Sequence, residues 1–288
     1  MGIVSAVVPT LGRSPLLIPC LQALRREGAG IIVVDQGETP TDLPLGLADR
    51  VLRPGRNLGF AAATNLGIAA SAGEWIATVN DDAIVQPGWA EALAAALAVD
   101  SRAAAAQGIN LVLANPDLAD GCGIAWNRWW QAVQVGYGKA APGPDAGARE
   151  IFGVSATAAV YRREALLKVS AGGAIFDQSL VSYYEDVDLA CRLRGAGYRA
   201  LLVPAARALH AGSLTGRTLS RERWRLIYGN RWWVARRFLG GGFWPRAPLL
   251  AARDGVDLAK ALLRGEGELA AGIVSGWGRA LRSSGGPR

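Results

Sequence analysis

Short runs rich in Val and Ile alternate with Ala- and Leu-rich stretches along the first hundred residues. The runs at 3–8, 31–35, 51–53 and 75–80 predict strands, and the stretches at 14–27, 60–71 and 88–99 predict helices. This is the βαβ signature of an α/β fold, a mostly parallel central sheet with helices on both faces. The middle of the chain is less regular. Residues 115–123 and 140–147 are rich in Pro, Gly and Asp and read as loops. Trp126, Trp129, Trp130 and Tyr137, between them, predict an aromatic hairpin or flap. A strand at 155–161, a helix near 163–169, a helix at 186–194 and a strand at 199–203 follow. Residues 220–283 predict helices broken at 240–242, Pro245 and Pro248.

In sheets of this kind ligands bind beyond the carboxyl ends of the strands, so the polar residues there form one candidate set. They are Pro9 and Thr10, Asp35, residues 53–57, and Asn80, Asp81 and Asp82. One such residue alone reads as a turn or cap, but four strands ending this way point to a site. Asp35 closes the buried-strand run IIVV, which predicts a carboxylate at an exposed tip, able to accept hydrogen bonds from a nucleobase or ribose. The segment NLGFAAATNLG at 57–67 sets small residues at a helix N-terminus, where backbone N–H groups and the helix dipole favour a phosphate. It is neither a Walker A loop nor GxGxxG, so ATPase and hydride-transfer readings gain nothing from it.

Asn80, Asp81 and Asp82 place adjacent carboxylates at a strand end with no sequence-adjacent Lys or Arg. Hard oxygen ligands suit Mg²⁺ or Mn²⁺, which complete their shells with waters and phosphate oxygens. A capped turn before the helix start at Pro87 and Gly88 is the alternative. Glu185, Asp186 and Asp188 open a second helix. Acids there can merely stabilise a helix N-terminus; the functional reading is a general base that takes a hydroxyl proton. Asp188 is expected to pair with Arg192 at i,i+4, leaving Glu185 or Asp186 for chemistry. His210, the only histidine, is expected in a loop ahead of Gly212 and Ser213, useful to a cation or phosphate if the fold brings it to Asp82.

With these residues in place, the chain resembles an inverting glycosyltransferase of family 2 with the GT-A fold, a Rossmann-like arrangement. The matching elements in order are VVPT, IIVVDQG, NLGFAAATNLG, NDD, SATAAVYRREAL, YYEDVDLACRLRGAGY and the His210 segment, spanning about residues 3–215. It is most similar to the branch containing rhamnosyltransferases and galactofuranosyltransferases of surface polysaccharides. The resemblance implies that Pro9, Thr10, Asp35, Asn57, Gly59, Phe60, Ala63 and Asn65 bind the nucleoside diphosphate. Asn80, with Asp81 beside it, and Asp82 fall on the family's DxD motif. It further implies that Asp82 and His210 ligate Mg²⁺ or Mn²⁺, and that Asp186, next to Glu185, is the catalytic base. The first DxD position is Asn80, which lacks a charge, and the family's usual GGFDE is stretched here into GGAIFDQ at 172–178.

The expected organisation is a catalytic domain at 1–215, with a nucleotide-sugar half at 1–110 and an acceptor half at 111–215, and a helical extension at 216–288. The expected donor is a UDP- or dTDP-sugar ahead of a GDP-sugar, and the expected acceptor a saccharide or lipid-linked hydroxyl. A nucleotidyltransferase is the enzymatic rival, but Leu11, Gly12 and Arg13 are too thin for a triphosphate loop. A non-catalytic nucleotide-sugar-binding protein is the rival from another class.

Charge changes the picture at the C-terminal end. Residues 1–204 carry 16 Lys and Arg against 19 Asp and Glu, whereas 205–288 carry 15 against 5, together with five of the ten tryptophans. Arg221, Arg223, Arg225, Arg231, Arg236 and Arg237, interleaved with Trp224, Trp232, Trp233 and Phe238, have the composition of a helix in an anionic membrane interface. A helix packing its Trp face on the catalytic domain is the structural alternative. No nucleic-acid-binding module is recognisable. Cys20, Cys122 and Cys191 lack metal or redox spacing and are expected as buried free thiols. With no leader pattern before the first strand and no run of ~20 apolar residues, the expected location is the cytoplasm, at most peripheral on the inner face of the plasma membrane.

Overall fold

The computed structural model describes residues 4–212 and 220–282. Ser213 and the expected domain boundary after residue 215 lie outside the described residues. The first half follows the alternation: β1 (Val4–Thr10), α1 (Leu17–Arg26), β2 (Gly30–Asp35), β3 (Arg50–Leu52), α2 (Phe60–Ala69), β4 (Trp75–Val79), β5 (Ala83–Val85) and α3 (Trp89–Val99). Then come β6 (Ala103–Val112), β7 (Asn115–Gly121), a hairpin of β8 (Ile124–Trp126) and β9 (Ala132–Gln134), β10 (Arg149–Ile151), β11 (Ala158–Arg162) and α4 (Arg163–Lys168). A 3₁₀ turn at Gln178–Leu180, α5 (Glu185–Gly195) and β12 (Arg199–His210) precede α6 (Arg221–Leu239), α7 (Phe243–Leu263) and α8 (Gly267–Arg282).

The sheet runs β10-β12-β6-β11-β4-β1-β2-β3, with β5 added on β12 and β7 on β6. Along that path six strands share one direction and only β11 and β10 oppose it, so the sheet is mostly parallel. Alternate residues of a strand face opposite sides, and both sides are covered. Ala6 and Val8 of β1 pack into a core with Leu21 of α1 and Leu93 of α3, while Val7 joins Ile68 of α2, Leu166 of α4 and Leu189 of α5.

Ala103 to Ala106 are good helix formers by propensity, yet they are fully enclosed in β6, where small side chains let β11 and β12 flank the strand. Two segments differ from expectation. Residues 115–121, read as a loop, form edge strand β7, where Pro116 is tolerated because an edge position need not donate inward. The strand expected to stop at 203 continues to His210, which therefore ends a strand instead of lying in a loop. The flap is the β8–β9 hairpin.

The C-terminal chain breaks at 240–242 as expected. Pro245 and Pro248 do not break it: Pro245 falls among the first four residues of α7, whose N–H groups have no helical partner to lose, and Pro248 is accommodated inside the helix. A further break, at 264–266, precedes α8. α6 and α8 pack at glycine contacts, since a Cβ on Gly276 would meet the Gly229 nitrogen at 2.9 Å. Arg231 and Asp254 form a buried ion pair at 2.7 Å, and the indole N–H groups of Trp232 and Trp277 both donate to Asp254. These two tryptophans are turned into the helical unit itself, whereas Trp233 packs against the catalytic part, beside Leu180, Tyr184 and Val187. All three cysteines are free; Cys20 and Cys122 are buried and Cys191 half-buried. Among the described residues no helix is long and apolar enough to cross a membrane.

Candidate active site

β5 pairs antiparallel with β12 in a register that sets Ala83 opposite His210, so Asp82, one residue earlier, is delivered to the imidazole. His210 Nε2 lies 3.2 Å from Asp82 Oδ1. β7 pairs with β6, the parallel neighbour of β12, and brings Asp120 to the other side of the ring, 2.8 Å from Nδ1. An ionised carboxylate can only accept, so Nδ1–H donates to Asp120. Burial alone would lower the His210 pKa, but the neighbouring Asp120 and Asp82 carboxylates overcome it and lift the ring to about 9. Asp120 sits in the segment read as a loop; only the alternating burial of β7 would have revealed it.

These residues fit a divalent cation in a specific way. His210 Nε2 is buried without an aligned hydrogen-bond partner and faces the Asp82 carboxylate. A carboxylate on the far ring nitrogen is the usual companion of a metal-ligating histidine, fixing its tautomer and orientation. Among the described residues no three His, Cys, Asp or Glu side chains form a ready-made metal cluster. Asp82 and His210 could supply two ligands to such an ion, leaving its other positions to water and phosphate oxygens.

On the neighbouring strands, Thr10 of β1 and Asp35 of β2 are register partners at the carboxyl edge. The Thr10 hydroxyl donates to Asp81 Oδ2 at 2.6 Å, so Asp81 turns toward β1 while Asp82 turns toward His210. Burial pushes Asp81 up to about 6, opposed by Thr10 and reinforced by Asp82. Asp35 is not at an exposed tip: it is 2% exposed, because residues 37–41 fold back over it. Its oxygens accept the N–H groups of Gly37 and Thr41, and Arg53 Nε is 3.4 Å away. Gln36, unremarked in the sequence, is also buried and accepts the Leu58 N–H.

The start of α2 is less open than a phosphate cradle requires. Phe60 N–H donates to Ser182 Oγ and Ala61 N–H to the Val181 carbonyl. Asn57 caps Gly59 N–H, and Gly59, at φ +80°, abuts Val181 so closely that a Cβ would reach its oxygen at 2.8 Å. Ala63 is fully buried. Asn65 spends both ends of its amide on Phe176, donating to its carbonyl and accepting its N–H, each at 2.8 Å. The structure gives these residues the task of docking the chain at 176–182 against α2.

That chain leads into the acid pair. Val181, Tyr183 and Tyr184 all have positive φ, between 64° and 70°, a conformation that costs non-glycine residues roughly 1–3 kcal/mol each. Immediately afterwards Glu185, buried, and Asp186, half-buried, open α5. Burial raises Asp186 to about 6, against the N–H groups of Val187 and Ala156. Burial, and then the Asp186 charge, raise Glu185 well above the usual carboxylate range. Asp188 pairs with Arg192 at 2.8 Å as expected, and also with Arg237 of α6 at 3.1 Å.

Comparison with known proteins agrees with this geometry. Residues 5–169 match the model of Glycosyl transferase family 2. The uncharacterized protein y4gI of Sinorhizobium fredii is 27% identical over 86% of this chain, which spans only 29% of that protein's length. The uncharacterized protein Mb1552 of Mycobacterium bovis is 30% identical over 73% of this chain and 75% of its own. Among solved structures, GalNAc-T7 with UDP, GalNAc and Mn²⁺ superposes with a TM-score of 0.61 at 18% identity, covering 83% of this chain and 50% of that one. The mannosyltransferase PcManGT of Pyrobaculum calidifontis, in complex with GDP-Man and Mn²⁺, gives 0.58 at 16% identity over 99% and 88%. The GT-A arrangement of the sheet and the family match agree, and the chain belongs to glycosyl transferase family 2.

Proposed function

We propose that this chain transfers a sugar, with inversion, from a nucleoside diphosphate sugar to a hydroxyl of a saccharide or lipid-linked acceptor. The observation that carries the reading is the meeting of Asp82 with His210, backed by Asp120, at the same carboxyl edge as Thr10 and Asp35. Asp82 and His210 would hold Mg²⁺ or Mn²⁺. Such an ion, when bound, neutralises charge growing on the departing diphosphate. Neighbours of the same fold were solved with UDP or GDP-Man and Mn²⁺, which supports a nucleotide-sugar donor. The resemblance to the rhamnosyltransferase branch favours UDP- or dTDP-sugars and a rhamnosyl group in surface polysaccharide synthesis.

In the reaction Asp186 takes the acceptor hydroxyl proton, the oxygen forms a bond to the anomeric carbon, and the bond from that carbon to the diphosphate oxygen breaks on the opposite face. A carboxyl lifted to about 6 is ionised at neutral pH and basic enough to accept that proton. Pro9, Thr10, Asn57 and Asn80 border the donor, with Asp35 and Asp81 shaping the loops beneath it. The 1–215 and 216–288 division is retained as catalytic part and extension. Peripheral attachment to an anionic bilayer is assigned to the outer face of α7, where Trp244, Leu262 and Leu263 are exposed. Cosedimentation with anionic but not neutral vesicles is the expected result. The central test is a thermal-shift screen against UDP-, dTDP- and GDP-sugars with Mn²⁺: stabilisation by one donor class, lost in Asp82→Ala, is expected. No shift with any donor would overturn the reading.

A further inference from the structure

The positive-φ segment ahead of the acid pair has an unusual fastening. Asn230 of α6, 1% exposed, sends its single amide nitrogen to three carbonyls of that segment: Leu180 at 2.8 Å, Ser182 at 3.0 Å and Tyr183 at 2.8 Å. An amide NH₂ has two protons, so three acceptors within reach mean a shared, fork-like clamp. The amide is oriented in turn by Arg279 of α8, whose Nε donates to Asn230 Oδ1 at 3.1 Å and whose guanidinium also reaches the Ser179 carbonyl. About two turns further along α6, Arg237 bridges Asp177 at 3.0 Å and Asp188 at 3.1 Å, one residue before the turn and two residues after the acid pair. The C-terminal helices therefore touch the loop at both of its ends and at its middle.

A loop with three non-glycine residues at positive φ does not hold that shape unaided; neighbours must over-determine it. From the opposite side, α2 supplies the N–H donors of Phe60 and Ala61, and the flap supplies the Ala132 N–H to Tyr184 Oη and apolar packing of Ile124 and Trp126 around Leu180 and Tyr184, but neither reaches the carbonyls of Leu180, Ser182 and Tyr183. The carbonyls of Leu180, Ser182 and Tyr183 go to one buried asparagine of α6. We propose that Asn230, oriented by Arg279, is a positioning residue for the transfer reaction: it fixes the 180–184 backbone so that α5 starts where Asp186 can meet the acceptor. The helical extension is then part of the catalytic apparatus and not merely an anchor. This inference rests on Asp186 being the base.

The experiment compares Asn230→Ala with Trp277→Phe in the full chain. The second variant removes an indole donor to Asp254 within the same helical unit without touching the loop. Asn230→Ala is expected to keep donor affinity within about twofold and to lose at least about tenfold in kcat, a separation that general destabilisation does not produce. It is also expected to raise deuterium uptake at 178–188 while uptake in β1 and β4 stays at the wild-type level. Trp277→Phe should keep both kcat and loop protection. Unchanged kcat and exchange in Asn230→Ala, or equal losses in the two variants, would overturn the proposal. If Asn230→Ala is not recovered folded, Arg279→Met decides by the same two readouts: a smaller kcat loss with looser 178–188 supports the clamp, and no change in either refutes it. Wild-type turnover in Asp186→Asn would instead sink the base assignment, and it would leave the exchange result standing.

Discussion

Asp82, His210 and Asp120 sit at the ends of strands whose ladders fix them, whereas Glu185 and Asp186 open a helix behind a segment with Val181, Tyr183 and Tyr184 at positive φ. At the first edge strand pairing does the placing: Ala83 lies opposite His210, and Asp120 falls at the bulge between the Asn110–Gly121 and Leu111–Ala119 rungs. At the second, placement depends on side chains from elements distant in sequence, namely Asn65, Asn230 and Arg237. A ladder resists a single substitution because neighbouring rungs remain. A loop held by a few side chains does not. The cation edge should therefore be locally sensitive and remotely robust, and the acid pair sensitive to changes far from the chemistry.

The sharpest break in that comparison is Asp186→Asn, expected to lower kcat by about 10²–10⁴-fold with donor affinity retained. Because burial disfavours the charged carboxylate, the neutral isostere should not lower Tm; steady-state kinetics beside a melting curve checks both. Asp120→Asn acts on the other edge. It leaves the Asp82 and His210 contacts in place but weakens the orientation of the ring, and about a 10–100-fold loss in Mn²⁺-dependent donor binding is expected by calorimetry. Exchange at 178–188 should not move.

The acid pair should also dominate the pH profile. Asp186 must be ionised to accept a proton, so kcat should fall about tenfold per pH unit once pH drops below about 6, measured at saturating donor. Stability runs the other way. A carboxyl whose folded pKa is raised from 3.8 to about 6 contributes stability fully present below 3.8 and lost as pH rises through about 6. The smallest effect is expected from Asn65→Ala, which leaves the N–H and carbonyl of buried Phe176 unpaired and costs about 1–3 kcal/mol in denaturant unfolding. Its kcat loss should be milder than that of Asn230→Ala, because it frees the chain before the strained residues and not within them.

Much of the fold was legible because the relevant signals are local. Val- and Ile-rich runs set β1, β2 and β4, and Asp188 found Arg192 four residues on. The misreadings share a cause. The Pro-bearing β7 and the last residues of β12 take their conformation from strands beside them, which local composition does not register. Asp35 was placed at a strand tip correctly but judged exposed, since nothing in IIVVD tells that residues 37–41 return to cover it. The phosphate-cradle reading of 57–67 rested on a real helix N-terminus, but not on knowledge that Val181 and Ser182 occupy its donors.

The sequence by itself determined the alternation of strands and helices, the acids at their ends, and the family in which those motifs occur in that order. Periodicity and motif spacing are properties of neighbouring residues, and the chain carries them without folding. Only the tertiary structure decided that Asp120 backs His210, that Asp35 is enclosed, and that one asparagine in a basic, Trp-rich helix holds the approach to the acid pair. Each of these depends on strand register or on contacts between segments 47 to 90 residues apart, or on a returning loop, and no local pattern encodes them.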